Sequence, residues 1–396
     1  MSNWEWKKLG DLYPISMGKT PPRGDSSCWD KNRHTKNVWV TIADISSNEN
    51  QIITESKEHI SDKAAKSITL VSPNSLLLSF KLSIGKMAFA GIPLYTNEAI
   101  VNFPPTKDID LQYLHKYFLY YNWDKASEGD TKVKGKTLNK EKLKNIDVLV
   151  PPLAEQKRIV KTLDEKFAKI DKLKTAAETN LKNAREIFNA ELEKTFNEKD
   201  FWKTARLGEI ALEYGRGKSK HRPRNDKCLF GGEYPFIQTG DIRNSEKYIE
   251  RYSETYNEIG LAQSKLWPKG TLCITIAANI AETAILTFPC CFPDSVIGFV
   301  PNEQYTSVDF IYYVIQYFKT ELQKISKGAA QDNLNLTKLE SMDFPLPPLS
   351  EQKRIVAHLD KLSEKVKRLE EIYRRTIADC EEIKKSILKK TFEGES

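Results

Sequence analysis

Long apolar runs are missing from this 396-residue sequence: the longest, TLCITIAANIA at 271–281, is about half of the roughly 20 residues a bilayer-spanning helix needs. No membrane association is expected. The start, MSNWEWKKLGD, lacks the basic-then-apolar pattern of a secretory leader, so the expected location is cytoplasmic. Cysteine is sparse: Cys28, Cys228, Cys273, Cys290, Cys291 and Cys380 contain no Cys-x-x-Cys pair, and the five histidines form no ligand-spaced set with them. Reduced structural thiols and no metal centre are the expectation. Charge of one sign is also scarce, since 61 Lys+Arg against 54 Asp+Glu leaves only +7, too little to mark a nucleic-acid binder by its total. Glycine is absent where a nucleotide loop requires it. Gly18-Lys19-Thr20 and Gly217-Lys218-Ser219 both imitate the tail of a phosphate-gripping loop, yet the positions that should carry its first glycine hold Tyr13 and Leu212. Pro21-Pro22 and Pro223 then break the helix whose N-terminus would supply amides, which argues against an ATPase.

What the chain does have is a repeat. PPLAEQKRIVKTLD at 151–164 returns as PPLSEQKRIVAHLD at 347–360, an offset of 196, and the correspondence runs without insertion for 46 positions with 19 identities. Fainter echoes join the rest: KKLGDL at 7–12 with ARLGEI at 205–210, and TIADI at 41–45 with QTGDI at 238–242. Each well-kept segment reads as a long helix. Val160, Leu163, Phe167, Ile170, Ala177, Leu181, Ala184 and Phe188 step by three and four with one skipped position at Lys174. Val356, Leu359, Val366, Tyr373, Ile377, Cys380 and Ile387 repeat the stripe. The Pro-Pro pairs block backward extension, and Glu155 and Glu351 complement the helix dipole in the first turn. At 1.5 Å per residue each helix is roughly 65–70 Å long, and so long a stripe requires a partner. The other copy is the obvious one; packing of each stripe on its own globular region is the alternative.

The intervening regions look mixed. VWVTI at 38–42, SLLLSF at 75–80, AIVNF at 99–103, PFIQ at 235–238, LCITI at 272–276 and VIGFV at 296–300 read as strands, and helices follow around Leu111–Tyr121 and Phe310–Leu322. The expected class is α+β. Residues 1–150 and 199–346 form two mixed α/β domains, and 151–198 and 347–396 form two spacer helices. The sequence after the first KTF, at 194–196, is answered by the chain's own beginning after the second, at 390–392. A circular repeat of this kind predicts a pseudo-twofold axis, antiparallel helices between two lobes, and neighbouring termini.

Such an object suits duplex DNA, whose strands present equivalent features twice. Basic glycine loops support this: Lys19, Thr20 and Arg23 in the first half, and Arg216, Lys218, Lys220, Arg222 and Arg224 in the second, offer phosphate contacts. A further pair of loops adds Lys132, Lys134 and Lys136 against Lys327, Gln331 and Asn333, residue types that also read guanine or adenine edges. Lys81, Lys86, Thr239 and Arg243 complete the candidate set.

The doubled PPLxEQKRIV segments, the LGD and LGE starts and the two divergent lobes together resemble the specificity subunit of Type I restriction-modification systems, over essentially the whole chain. The resemblance implies that each variable lobe is a target recognition domain reading half of a bipartite, asymmetric DNA sequence. It implies that the kept helices form an antiparallel coiled coil, set the unread gap and dock two methyltransferase subunits. By the same resemblance those subunits use S-adenosylmethionine, two restriction subunits use ATP and Mg, the assembly serves phage defence, and this chain binds no cofactor and catalyses nothing. The residues agree: no Pro-Pro pair sits in the Asp/Asn-Pro-Pro-aromatic loop of an amino-methyltransferase, and PDSVIGFVPNE at 293–303 lacks the Glu-x-Lys of a metal nuclease. Because TPPRGDSSCWD and SKHRPRNDKCLF share little, the whole target is expected to be non-palindromic. Alternatives are a specificity subunit of a related Type II system with a fused methyltransferase-nuclease, and a coiled-coil scaffold that does not touch DNA.

Overall fold

A computed structural model describes residues 4–126, 131–132, 135–136, 138–197, 202–277, 280–327 and 339–393. The chain divides into two compact units, Met1–Ala177 with Arg375–Ser396, and Glu178–Arg374. Four helices carry the architecture: α1 (Leu111–Tyr120), α2 (Leu153–Phe196), α3 (Val308–Lys327) and α4 (Leu349–Glu393). Both long helices begin in one unit and end in the other.

In the first unit a five-stranded sheet has the order Ser16–Met17, Ile100–Phe103, Leu76–Ser79, Met87–Ala90, Ile52–Ile53. Three of these strands are apolar at every position or nearly so, and all three are wholly buried. A three-stranded sheet, Glu58–His59, Val38–Val40, Tyr95–Thr96, is interleaved with it along the chain. The strand expected over 38–42 stops at Val40 because Thr41 caps a new helix, Ile42–Ser47: the Asp44 carboxylate accepts the Thr41 amide at 2.8 Å.

The second unit repeats this plan. Its five-stranded sheet runs Ala211–Arg216, Val296–Pro301, Leu272–Thr275, Thr283–Leu286, Tyr248–Ile249, and its smaller sheet runs Glu254–Tyr256, Phe230–Phe236, Cys290–Cys291, Leu266–Trp267. The Gln238 amide donates to Asp241 at 2.7 Å, the same helix start that Thr41 and Asp44 build, which explains the echo between TIADI and QTGDI. Each unit also pairs its opening strand with the strand before its Pro-Pro: Glu5–Lys8 with Asp147–Val150, and Lys203–Ala205 with Phe344–Leu346.

A buried glutamine joins helix to lobe in both units. Gln156 accepts the Asp110 amide at 2.8 Å and donates to the carbonyls of Asp108 and Pro151. Gln352 accepts from the Thr306 hydroxyl at 3.0 Å and donates to the carbonyls of Tyr305 and Pro347. The repeated Glu-Gln therefore encodes a polar weld, in which a buried amide is worth keeping only because its bonds are made.

The long helices run antiparallel inside each unit. In the first, Lys384 reaches Asp171 while Lys174 meets Glu381 at 2.6 Å. In the second, Arg185 meets Glu370 at 2.8 Å and Glu191 meets His358 at 2.9 Å. Rising numbers on α2 meet falling numbers on α4. The seam also shares itself with the lobes. Ile159 and Leu163 of α2 join Leu388 and Phe392 of α4 in the first core, with Val160 and Phe167 packed against it. Ile355 and Leu359 of α4 join Leu192 and Phe196 of α2 in the second, with Val356 beside them. Between these ends Ala177, Ala184, Val366 and Cys380 are buried, while Ile170, Leu181, Tyr373 and Ile377 are half-buried. The two readings of the stripe thus combine, with the ends serving the lobes and the middle serving the partner helix. Lys174, which breaks the apolar spacing, is itself half-buried in the seam.

All six cysteines are free thiols, and burial raises the pKa of Cys273 and Cys291 above the usual thiol range. Among the described residues no helix is long and apolar enough to cross a membrane.

Candidate nucleic-acid interface

The two glycine loops are held by backbone contacts. A Cβ on Gly18 would lie 1.9 Å from the Thr96 carbonyl oxygen, and one on Gly217 would lie 2.2 Å from that of Phe292, so only glycine lets the chain pass. The Lys19 amide donates to Thr96 at 2.9 Å and the Gly217 amide to Val296 at 2.9 Å. Gln263 accepts the amides of Lys220 and His221 at 2.6 and 3.0 Å. These amides are already engaged, which leaves side chains to meet a phosphate.

The side chains differ sharply between the loops. In the first unit Arg23 is held by both oxygens of Glu58 and lies over Trp29 and Trp39 at 4.2 and 4.8 Å, and the bond to Glu58 raises its pKa. Thr20 donates to Glu98, and Lys86 pairs with Glu49. Lys19 is exposed, and Lys81 lies over Phe80 at 5.3 Å. In the second unit Arg216, Lys218 and Lys220 are exposed with no side-chain partner among the described residues, and Arg243 is likewise exposed on the short helix Thr239–Asn244. Arg222 donates to the carbonyls of Ser219 and His221, and Arg224 pairs with Asp294 at 2.7 Å. Lys132 and Lys136 lie on a hairpin pairing Thr131–Lys132 with Gly135–Lys136, and Lys327 ends α3. Lys134, Gln331 and Asn333 lie outside the described residues.

A cleft of about 540 Å³ adjoins the second loop. Ser219, Arg224, Lys227, Gln238 and Thr239 line it together with Phe230, Phe236 and Tyr256, the last two stacked at 4.1 Å. Cations, an amide, hydroxyls and aromatic faces are the chemistry that meets a nucleotide. Arg224 and Thr239 are the two of these lining residues that the sequence marks as candidates; Gln238, which QTGDI positions beside Thr239, is not among them.

Three candidate ligand atoms, from His221, Asp226 and Cys228, come within 4.8 Å of one another, a grouping that the spacing of histidines and cysteines did not reveal. The Cys228 amide and His221 hold the Asp226 carboxyl down to about 2, and Asp226 in turn raises the Cys228 thiol. Arg222, Arg224 and Lys227 adjoin the trio in sequence.

A second pair of features sits at the helix starts. In the first unit a cleft of about 370 Å³ is lined by Trp4, Glu155, Arg158, Ile159 and Thr391, among others. In the second a cleft of about 340 Å³ is lined by Trp202, Glu351, Arg354, Ile355 and Thr195, among others. Glu155 grips Arg158 through two hydrogen bonds of 2.7 and 2.6 Å, and Glu351 grips Arg354 at 2.8 and 2.6 Å. The repeat has built the same cleft twice.

The family model for the Type I restriction modification DNA specificity domain matches residues 1–183 and again 199–374. The chain belongs to the Type I specificity-subunit family. Family members are non-catalytic and bind no cofactor themselves, and DNA target recognition is the role the family implies. The Type I restriction enzyme MjaIX specificity subunit of Methanocaldococcus jannaschii is 24% identical over 92% of this chain and 88% of its own length. The EcoR124I/EcoR124II specificity subunit of Escherichia coli is 29% identical over 53% of this chain and 52% of its own, and a further relative from M. jannaschii is matched over 60% of its length. Among solved structures, a chain from work titled as the structural basis of complex assembly and conformational transition of the type I R-M system has a TM-score of 0.80 at 19% identity, covering 100% of this chain and 98% of that one. The HsdS subunit from Thermoanaerobacter tengcongensis gives 0.58 at 18% identity, over 99% and 97%. At these identities the structural likeness establishes the specificity-subunit fold.

Proposed function

We propose that this specificity subunit reads a bipartite, asymmetric duplex target, one half-site with each sheet-bearing unit, and docks two copies of an adenine methyltransferase subunit, through which restriction subunits join. S-adenosylmethionine then belongs to the methyltransferase copies, and ATP with Mg to the restriction subunits. The observation that carries the reading is one sheet order built twice with different rim chemistry: a neutralised Arg23 lying over two tryptophans in one unit, and exposed Arg216, Lys218 and Lys220 beside an aromatic cleft in the other. Equal scaffolds with unequal edges are what two different half-sites require.

The duplicated clefts at Trp4 and Trp202 support two copies of a single docking partner, since the same lining recurs at both helix starts. Sequencing of methylated adenines in a host carrying the assembled system tests the target directly. Two unlike half-sites around an unread gap are expected; a perfect palindrome would sink the asymmetric reading. Trp4→Ala and Trp202→Ala, one at a time, should each weaken retention of one methyltransferase copy, measured as the mass of the purified complex. Full retention in both variants would remove the clefts from the docking surface.

A further inference from the structure

We infer that the long helices carry a charge code by which each repeat pairs with the other repeat and rejects a copy of itself. The code is visible in two ion pairs. Lys174 of α2 meets Glu381 of α4 at 2.6 Å in the first unit, and Arg185 of α2 meets Glu370 of α4 at 2.8 Å in the second. Adding the repeat offset of 196 carries Lys174 onto Glu370 and Arg185 onto Glu381. The two contacts are therefore one contact built twice, with both charges exchanged. Basic residues sit at both positions in the first repeat and acidic residues at both in the second.

The consequence follows from the antiparallel register. If two first repeats paired in this geometry, Lys174 would face Arg185 twice; if two second repeats paired, Glu370 would face Glu381 twice. Two attractions become two repulsions in either case. The flanking contacts point the same way. Asp171 pairs with Lys384, whereas the offset places Lys367 where Asp171 stands, so two second repeats would also set Lys367 against Lys384. His358 pairs with Glu191 at 2.9 Å, and the equivalent positions hold Thr162 and Ile387, so neither self-pairing keeps that bond twice over.

Placement within the seam strengthens the effect. Glu370 is only 17% exposed and is gripped by Arg185 and Arg374 together, and Lys174 occupies the place where an apolar residue would continue the stripe. The nearby Lys174 and Lys384 hold the Glu381 carboxyl below its usual range, against the opposing charge of Asp171. Polar residues at seam positions sacrifice apolar contact and in return select partner and register. An ion pair of this kind is worth roughly a two- to threefold factor, as is its reversal, so two pairs lost and two repulsions gained multiply to about thirtyfold.

The full-length chain can be made to imitate both self-pairings. Glu370→Lys with Glu381→Arg gives α4 the first repeat's charges; Lys174→Glu with Arg185→Glu gives α2 the second's. Hydrogen-exchange protection of amides in the middle of both helices is the readout. Each double variant should lose at least about thirtyfold in protection at low salt, and the quadruple variant, which exchanges both interhelical pairs and restores their opposition, should return to within about tenfold of the parent, the remainder being the Arg374 bridge that Glu370→Lys reverses. High salt should shrink the deficit of the doubles, because screening at 1 M acts over about 3 Å. Parent-like protection in the doubles overturns the code. A quadruple variant as poorly protected as the doubles overturns it too, since the residues would then matter for packing and not for sign.

Discussion

Replacing Arg216, Lys218 and Lys220 together with glutamine removes three exposed cations from the second unit while leaving the backbone bonds of Gly217, Lys220 and His221 in place. Each phosphate neutralised in B-DNA contributes about 0.9 to the slope of log affinity against log salt, so three contacts correspond to a slope change of about 2.7. Between 50 and 200 mM salt the parent should then lose about 40-fold more affinity than the triple variant does. Fluorescence anisotropy of a labelled duplex, titrated with the assembled methyltransferase complex at four salt concentrations, measures both slopes. Arg23→Gln is the matched control, because Glu58 already neutralises that guanidinium and the slope should stay at its parental value. Parallel lines for parent and triple variant would refute the assignment of these three residues to phosphate contacts. A control that flattened the slope as much as the triple variant would refute the argument from pairing state.

Other perturbations follow from the cores. Gln156→Leu and Gln352→Leu each strand buried backbone groups, so each should cost about 3 kcal/mol in urea unfolding. Gly18→Ala and Gly217→Ala drive a methyl into a carbonyl oxygen and should each cost about 2–3 kcal/mol, whereas Gly24→Ala, which meets nothing within 4 Å, should leave the urea midpoint unchanged. His115 is buried with Asn50 at 2.7 Å, and burial, with Lys116 adding to it, pushes its pKa down from 6.5 to about 4 despite Asp164. A base depressed in the folded state takes up its proton on unfolding, so stability is full above about pH 6.5 and falls by up to about 3 kcal/mol as the pH drops to 4. Urea midpoints between pH 4 and 7 should show this decline in the parent and a shallower one in His115→Gln.

The repeat and the helices were legible because their signals are local and periodic: a Pro-Pro start, leucines and valines at three and four, and an offset that never slips over 46 positions. The strands at Leu76–Ser79 and Val296–Pro301 were legible from dense apolar runs for the same reason. The loops were not. Gly18 and Gly217 resemble phosphate-gripping glycines in sequence, yet their conformational need comes from Thr96 and Phe292, residues more than seventy positions away. Arg23 reads as a free cation until Glu58, Trp29 and Trp39 are placed around it. Lys174 reads as a gap in a stripe, and only the arrival of Glu381 makes it a contact. Charge state and partnership are long-range properties, and no window of neighbouring residues contains them.

Phe392 nests against Tyr113, Tyr117 and Tyr120, and Glu393 accepts the Tyr120 hydroxyl across 273 positions of chain. A ribosome releases those tyrosines long before it makes the residues that cover them. The contiguous stretch Glu178–Arg374 emerges whole in the meantime, so the half that is translated first is the half that finishes last. Any transcript cut short before the final turns would leave a ring of aromatic surface uncovered on the nascent protein, a ready target for quality control.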